Sequence, residues 1–254
     1  MPDGKSLLLW RATPRPDGSQ RPELYVWTLG ARTPRRVTDG AGVRQADPAP
    51  NGRAAVALRC RGGHCDVVFV DLVTGGIRSI VDGGELTSFA RPRLSPDGHT
   101  IAVAMQRADR WQIALVDTAG GALRVVGPDD DVNRFDPAWV DSVSLVVVSD
   151  RAGTANLERI DLGVAGGAVA HSLTRVTGAA FAPEPSRTRS DSSIWFLSLH
   201  SYGYDVMRLK APAERSANAS ERAEAPTAGR RGHSSHARDR PPPIRMLPKS
   251  NACA

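Results

Sequence analysis

Arg91-Pro-Arg-Leu-Ser-Pro-Asp-Gly-His-Thr-Ile-Ala-Val103, followed by Gln112-Ile-Ala-Leu-Val-Asp117, is the stretch from which the fold can be read. Pro96 presets φ for the first corner of a turn, the Asp97 carboxylate bonds backbone amides two residues on, and Gly98 accepts positive φ. The runs Thr100 to Met105 and Ile113 to Asp117, on either side of a polar hairpin, then read as paired antiparallel strands. A Gly120-Gly121 turn and a weaker edge strand follow.

The same unit recurs along the chain. Pro2-Asp3-Gly4, Pro50-Asn51-Gly52 and Pro96-Asp97-Gly98 set their glycines 48 and 46 residues apart. Two further copies keep the frame without the tripeptide, one leading through Asp136-Pro137 into Leu145 to Val148, the other through Ala182-Pro183 into Ile194 to Leu199. Inner strands such as Leu145 to Val148 are apolar at every position, as expected where both faces of a sheet are covered. No long window shows helical periodicity, so repeated four-stranded antiparallel sheets point to an all-β propeller.

The residues also carry a family resemblance. Arg91 to Val103 with Gln112 to Asp117, Phe135-Asp-Pro-Ala-Trp139 and Val148-Ser-Asp-Arg-Ala-Gly153 resemble the TolB-type propeller repeat, with its Ser-Pro-Asp-Gly turn between the first two strands of a blade. The resemblance implies blades at about residues 1–40, 41–84, 85–129, 130–178 and 179–211. It spans fold but not function, because similar blades occur in periplasmic Tol accessory proteins, in propellers of prolyl-oligopeptidase-like peptidases and in multidomain surface proteins. By resemblance the location is the periplasm or cell envelope. The first copy is expected to lack its innermost strand and the last its outermost, so the reading is of an incomplete or open arc, a fragment of a longer protein, with possible self-association through exposed blade edges.

Composition excludes several classes. The chain of 254 residues carries 33 Lys+Arg against 27 Asp+Glu, a formal charge of +6. Residues 213–254 hold eight of the cations and four of the acids, leaving 25 against 23 for the rest, so no basic nucleic-acid-binding face is expected on the folded part. The densest apolar run, Val143 to Val148, is too short for a transmembrane segment, and the N-terminal sequence does not read as a signal peptide. Residues 212–254 are rich in Ala, Arg, Ser, Pro and Glu with few large apolar side chains, and read as a disordered low-complexity tail, either a linker or an out-of-frame stretch. Arg230-Arg231 reads as part of a solvated tail, and Asn218-Ala219-Ser220 matches a glycosylation acceptor.

Motifs for catalysis are missing from the sequence: no Gly-x-Ser-x-Gly elbow, no His-Glu-x-x-His and no phosphate-cradling loop. No catalytic residue and no cofactor is therefore expected. Cys60 and Cys65 flank a hairpin tip where facing residues fall within disulfide range. A disulfide, two unpaired thiols and a metal site with His64 remain open, the last disfavoured because structural zinc takes four ligands. The recurring Asp71, Asp117 and Asp161 read as turn caps. The resemblance places the segments entering each innermost strand near the mouth of a central channel. There Arg91, Arg134, Asp47 and Asp136 are the candidate polar rim, while Phe89, Phe135 and Phe181 share a place as packing aromatics. The expectation is a non-catalytic protein- or peptide-binding scaffold, or alternatively the substrate-gating propeller of a peptidase whose catalytic domain lies outside this chain.

Overall fold

The computed structural model describes residues 1–163, 169–186 and 191–210, so the tail, Cys253 and the Asn218 acceptor lie outside the described residues. Every regular element among them is a strand, in five sheets. The first sheet holds β1 (Ser6–Pro14), β2 (Gln20–Thr28) and β3 (Arg35–Arg36). The second holds β4 (Val43–Pro48), β5 (Ala54–Arg61), β6 (His64–Asp71) and β7 (Ile77–Val81), and the third β8 (Thr87–Leu94), β9 (Thr100–Arg107), β10 (Arg110–Asp117) and β11 (Arg124–Val126). The fourth holds β12 (Arg134–Asp141), β13 (Ser144–Ser149), β14 (Asn156–Asp161) and β15 (Val169–Ser172), and the fifth β16 (Ala179–Pro185), β17 (Ser193–His200) and β18 (Gly203–Lys210). Each sheet is an antiparallel meander in chain order, which is the blade of a propeller.

The turn chemistry behaves as the residues require. Gly4, Gly52 and Gly98 have φ of 63°, 67° and 80°. Oδ1 of Asp3, Asn51 and Asp97 each accepts from the amide two residues on, at 2.9, 2.9 and 3.0 Å. These turns join the first and second strands of the second and third blades and begin β1 in the first. β1 therefore corresponds to β5 and β9, second strands, and the first sheet has no innermost member. Among the described residues the fifth sheet, β16-β17-β18, has no fourth strand. Asp71 and Asp117 do cap turns, accepting from Val73 and Ala119 amides at 2.8 and 2.7 Å, whereas Asp161 instead pairs with Arg159.

Four apolar cores alternate with the sheets. Leu24 packs with Ala57, Val68 and Val70 between blades one and two, and Val56, Leu58 and Val67 meet Ile101, Val103 and Val116 between two and three. Ala102, Ile113 and Leu115 meet Leu145, Val147 and Ile160 between three and four, and Val146, Val148 and Leu157 meet Ile194 and Phe196 between four and five. Burying a Leu or Val side chain contributes roughly 1.5–3 kcal/mol, so the stack of blades is held by these interfaces. Among the described residues no core joins the fifth sheet to the first, and no helix is long and apolar enough to cross a membrane.

Candidate functional site: the bulged innermost strands

The innermost strands β4, β8, β12 and β16 share a defect at one place. Their pairing with the second strand slips between Arg44 and Asp47, Ala90 and Arg93, Phe135 and Ala138, and Phe181 and Glu184. Inside each slip sits a residue with positive φ: Gln45 at 52°, Arg91 at 51°, Asp136 at 53° and Ala182 at 49°. None is glycine, and three of them precede proline, where backbone normally stays extended. A left-handed non-glycine residue costs about 1–2 kcal/mol. Four of the five such residues among the described ones occupy this one repeat position. Bulges re-aim side chains, and here those of Gln45, Arg91 and Asp136 reach the next blade.

Those side chains form a chain running round the stack. Gln45 Oε1 accepts from the Arg91 amide at 2.8 Å, Arg91 Nε lies 3.1 Å from Asp136 Oδ1, and Asp136 Oδ2 accepts from the Ala182 amide at 2.8 Å. Ala182 has no polar atom in its side chain with which to extend the chain. Two residues further along each strand a second row appears. Asp47 Oδ2 accepts from the Leu94 amide at 2.9 Å, and its Oδ1 lies 3.9 Å from Arg93 Nη1. Arg93 Nη2 donates to Glu184 Oε2, joining blade three to blade five. The corresponding residue of blade four is Ala138, which is buried, while Trp139 Nε1 donates to the Arg93 carbonyl at 3.0 Å. Burial works against the charge of Arg93, but Asp47 and then Glu184 outweigh it and hold its pKa above the ordinary value.

Of the four residues expected on a polar rim, the structure brings Arg91, Asp47 and Asp136 together in this cluster. It places Arg134 apart. Register equates Arg134 with Val43, Phe89 and Ala180, one position before the slip, and all four are buried. Arg134 donates to both carboxylate oxygens of Asp130, at 2.6 and 3.0 Å, and to Glu158 Oε2 at 3.1 Å. Arg151 donates to the same two acids. The hydrogen bonds from Arg134 and, after burial, from Arg151 hold the Asp130 carboxyl well below the usual range. Arg134 and Glu158 are thus a buried pair, with Asp130 and Arg151 completing the set of charges toward the surface.

The same register separates the three phenylalanines. Phe135 and Phe181 share a place with Arg44 and Ala90, whereas Phe89 sits one residue earlier and is buried in the core between blades two and three. Arg93 and Glu184 are cluster members the sequence reading passed over. Their signal was available: each follows the proline of its own repeat, Pro92 and Pro183, by one residue. Cys60 and Cys65 are joined by a disulfide across the β5–β6 hairpin, with their Cα atoms 4.0 Å apart, and Arg44, beside the slip of β4, donates to Cys65 Sγ at 3.6 Å. Bonded sulfurs are not thiolate ligands, and among the described residues no three His, Cys, Asp or Glu are grouped to hold a metal ion.

Five antiparallel meander sheets stacked face to face define the fold as a β-propeller. Comparison with solved structures agrees. The chain superposes on TolB from Acinetobacter baumannii with a TM-score of 0.66 at 18% identity, over 81% of this chain and 50% of that one. It superposes on a putative TolB from Agrobacterium tumefaciens with 0.62 at 19% identity, over 80% and 76%. A puromycin-hydrolyzing peptidase from Mycobacterium tuberculosis gives 0.55 at 19% identity, over 76% of this chain and 34% of that one. The chain thus spans half the length of the first of these proteins and about a third of the peptidase. No family model and no curated protein matches it.

Proposed function

We propose that the chain is a non-catalytic propeller that binds a protein or peptide at the mouth of its axis, through the charged row on the bulged strands. One observation carries this reading: four blades hold a left-handed non-glycine residue at one repeat position, and the two rows beside it present half-exposed charges of opposite sign, Arg91 in the first and Glu184 in the second. Strain held at one repeat position is a pointer to a site. Arg91 offers a planar donor fork to a carboxylate or backbone carbonyl, and Glu184 an acceptor to an amine or amide, the two groups an extended peptide presents. The likeness to TolB supports the binding reading, and the Cys60–Cys65 disulfide supports an oxidising compartment such as the periplasm or envelope.

The test is selection of binders from a random peptide library on the wild-type chain, followed by counter-titration on Arg91→Ala/Glu184→Ala. Loss of tenfold or more in affinity, about 1.4 kcal/mol, is expected for the selected peptides. Peptides that bind both forms equally would overturn the placement of the site. A second reading, the gating propeller of a peptidase, is favoured by the match to puromycin hydrolases. It requires a Gly-x-Ser-x-Gly elbow elsewhere in the same gene, which sequencing beyond both ends of this chain decides.

A further inference from the structure

The Cys60–Cys65 disulfide stands in the second blade, which has a neighbour on each side, at a place where the repeat supplies its own controls. Register equates the pair with Gln106–Trp111 of blade three and Leu199–Tyr204 of blade five. Both of those hairpins close by strand pairing alone, so the fold does not call for a covalent bond here. A crosslink between residues five apart in a hairpin already paired also removes little freedom from the unfolded chain, because that stabilisation grows with the length of the loop closed. Backbone fixes the hairpin from both sides as well. The Cys60 amide donates to the Gly42 carbonyl at 2.9 Å, and a Cβ at Gly83 would stand 2.1 Å from the Cys65 carbonyl oxygen.

Blade two adds a cation to the sulfurs. Arg44 Nη2 lies 3.6 Å from Cys65 Sγ, and the residues equivalent to Arg44 in the other blades are Ala90, Phe135 and Phe181, none of them charged. Among the described residues Arg44 makes no ion pair, and its Nε is buried without a hydrogen-bond partner. The acid of the hairpin, Asp66, is taken up by Arg59 at 3.0 Å and by the Gly83 amide at 3.0 Å, with Arg61 at 4.0 Å. An unpaired guanidinium against a sulfur favours thiolate over thiol, and a thiol of lowered pKa is the better leaving group in exchange. We infer that Cys60–Cys65 is a redox-active disulfide, a site of thiol–disulfide exchange with a dithiol partner, in which Arg44 receives Cys65 as the leaving thiolate. The partner's thiolate attacks Cys60 Sγ, the Cys60–Cys65 bond breaks, and its electron pair leaves on Cys65 Sγ beside Arg44. The partner's second sulfur then attacks the first in the mixed disulfide, and the electron pair leaves on Cys60, which takes up the proton that the second thiol gives up. The partner ends oxidised to a disulfide and this chain reduced by two electrons.

The test uses the full chain with Cys253→Ser, so that Cys60 and Cys65 are its two cysteines. Reduction of the folded protein by dithiothreitol is followed by alkylation and mass measurement, with Arg44→Met and Arg44→Lys alongside. Arg44→Met is expected to slow reduction about tenfold, and Arg44→Lys, which keeps the charge, to stay within about threefold of the parent. In a second measurement the parent protein is exposed to glutathione and quenched with excess iodoacetamide. Peptide mapping is expected to find glutathione on Cys60 and the alkyl group on Cys65. The reduced protein is expected to keep a cooperative melting transition, as the uncrosslinked hairpins of blades three and five imply. Reduction of Arg44→Met at the parent's rate overturns the inference, as does a Lys variant as slow as the Met one. Glutathione on Cys65, or spread evenly over both cysteines, overturns it too, and so does loss of the fold on reduction, which would make the bond structural. Where melting shows that Arg44→Met does not fold, the position of glutathione, read with Arg44 in place, decides.

Discussion

Two arginine-centred clusters sit on adjacent innermost strands and have opposite fates. Arg134 opens β12 at a position that is apolar in the other three blades, so its guanidinium is carried into the interior and closed off by Asp130 and Glu158. Arg91 and Arg93 flank Pro92 in β8, at and beyond the slip, and meet side chains of other blades. Two positions of register separate the Arg134 place from the Arg91 place. The same amino acid, in the same strand of the same repeat, holds a blade together in one case and presents charge in the other.

Removing the cations should expose that difference. Arg134→Ala leaves the buried Glu158 with Arg151 alone, and breaking a buried pair from one side costs about 3–5 kcal/mol. Chemical denaturation should show a loss of that size, and one under about 1 kcal/mol would mean that the Arg134–Glu158 pair does not hold the blade together. Arg93→Ala removes a partly buried, charge-assisted contact between blades three and five and should cost about 2 kcal/mol. Arg91, half-exposed with one partner, belongs with surface pairs, and Arg91→Ala should change stability by less than about 1 kcal/mol while weakening peptide binding.

Acid sharpens the comparison further. Asp130 has a lower pKa folded than its ordinary 3.8, so its ionisation favours the fold at any pH above that value. This contribution fades as pH falls below about 4 toward the folded pKa. Unfolding free energy measured from pH 5 to pH 2.5 should therefore drop more steeply in the wild type than in Asp130→Asn. Equal slopes would remove Asp130 from the stabilising set. The smallest expected effect concerns the bulge itself. Glycine at position 182 relieves a left-handed backbone but adds unfolded-state freedom, so Ala182→Gly should stabilise by about 0.5 kcal/mol net. A destabilised variant would argue against the positive φ there.

Much of this architecture is legible in the residues. The Pro-Asp/Asn-Gly turns give the repeat, and the apolar runs after them give the second strand of each blade, including the absence of an innermost strand in the first sheet. The candidate site was legible only in part, for a physical reason. Residues before proline are normally extended, so nothing in Arg91-Pro92, Asp136-Pro137 or Ala182-Pro183 announces a left-handed bulge. Without the bulge, the alternation of faces is miscounted by one. Arg134 then reads as rim when it is core, Phe89 is grouped with Phe135 and Phe181, and Arg93 and Glu184 escape notice. Contacts between residues 91 positions apart, such as Arg93 with Glu184, depend on how blades are arranged about the axis, which no local pattern encodes.

The bulged strands bring charges of separate blades together, Arg93 of the third meeting Glu184 of the fifth. A double-mutant cycle with Arg93→Ala and Glu184→Ala, read by denaturant unfolding, measures that meeting directly. A coupling energy of about 1 kcal/mol or more is predicted between these two positions. Additive single effects, with coupling near zero, would contradict it.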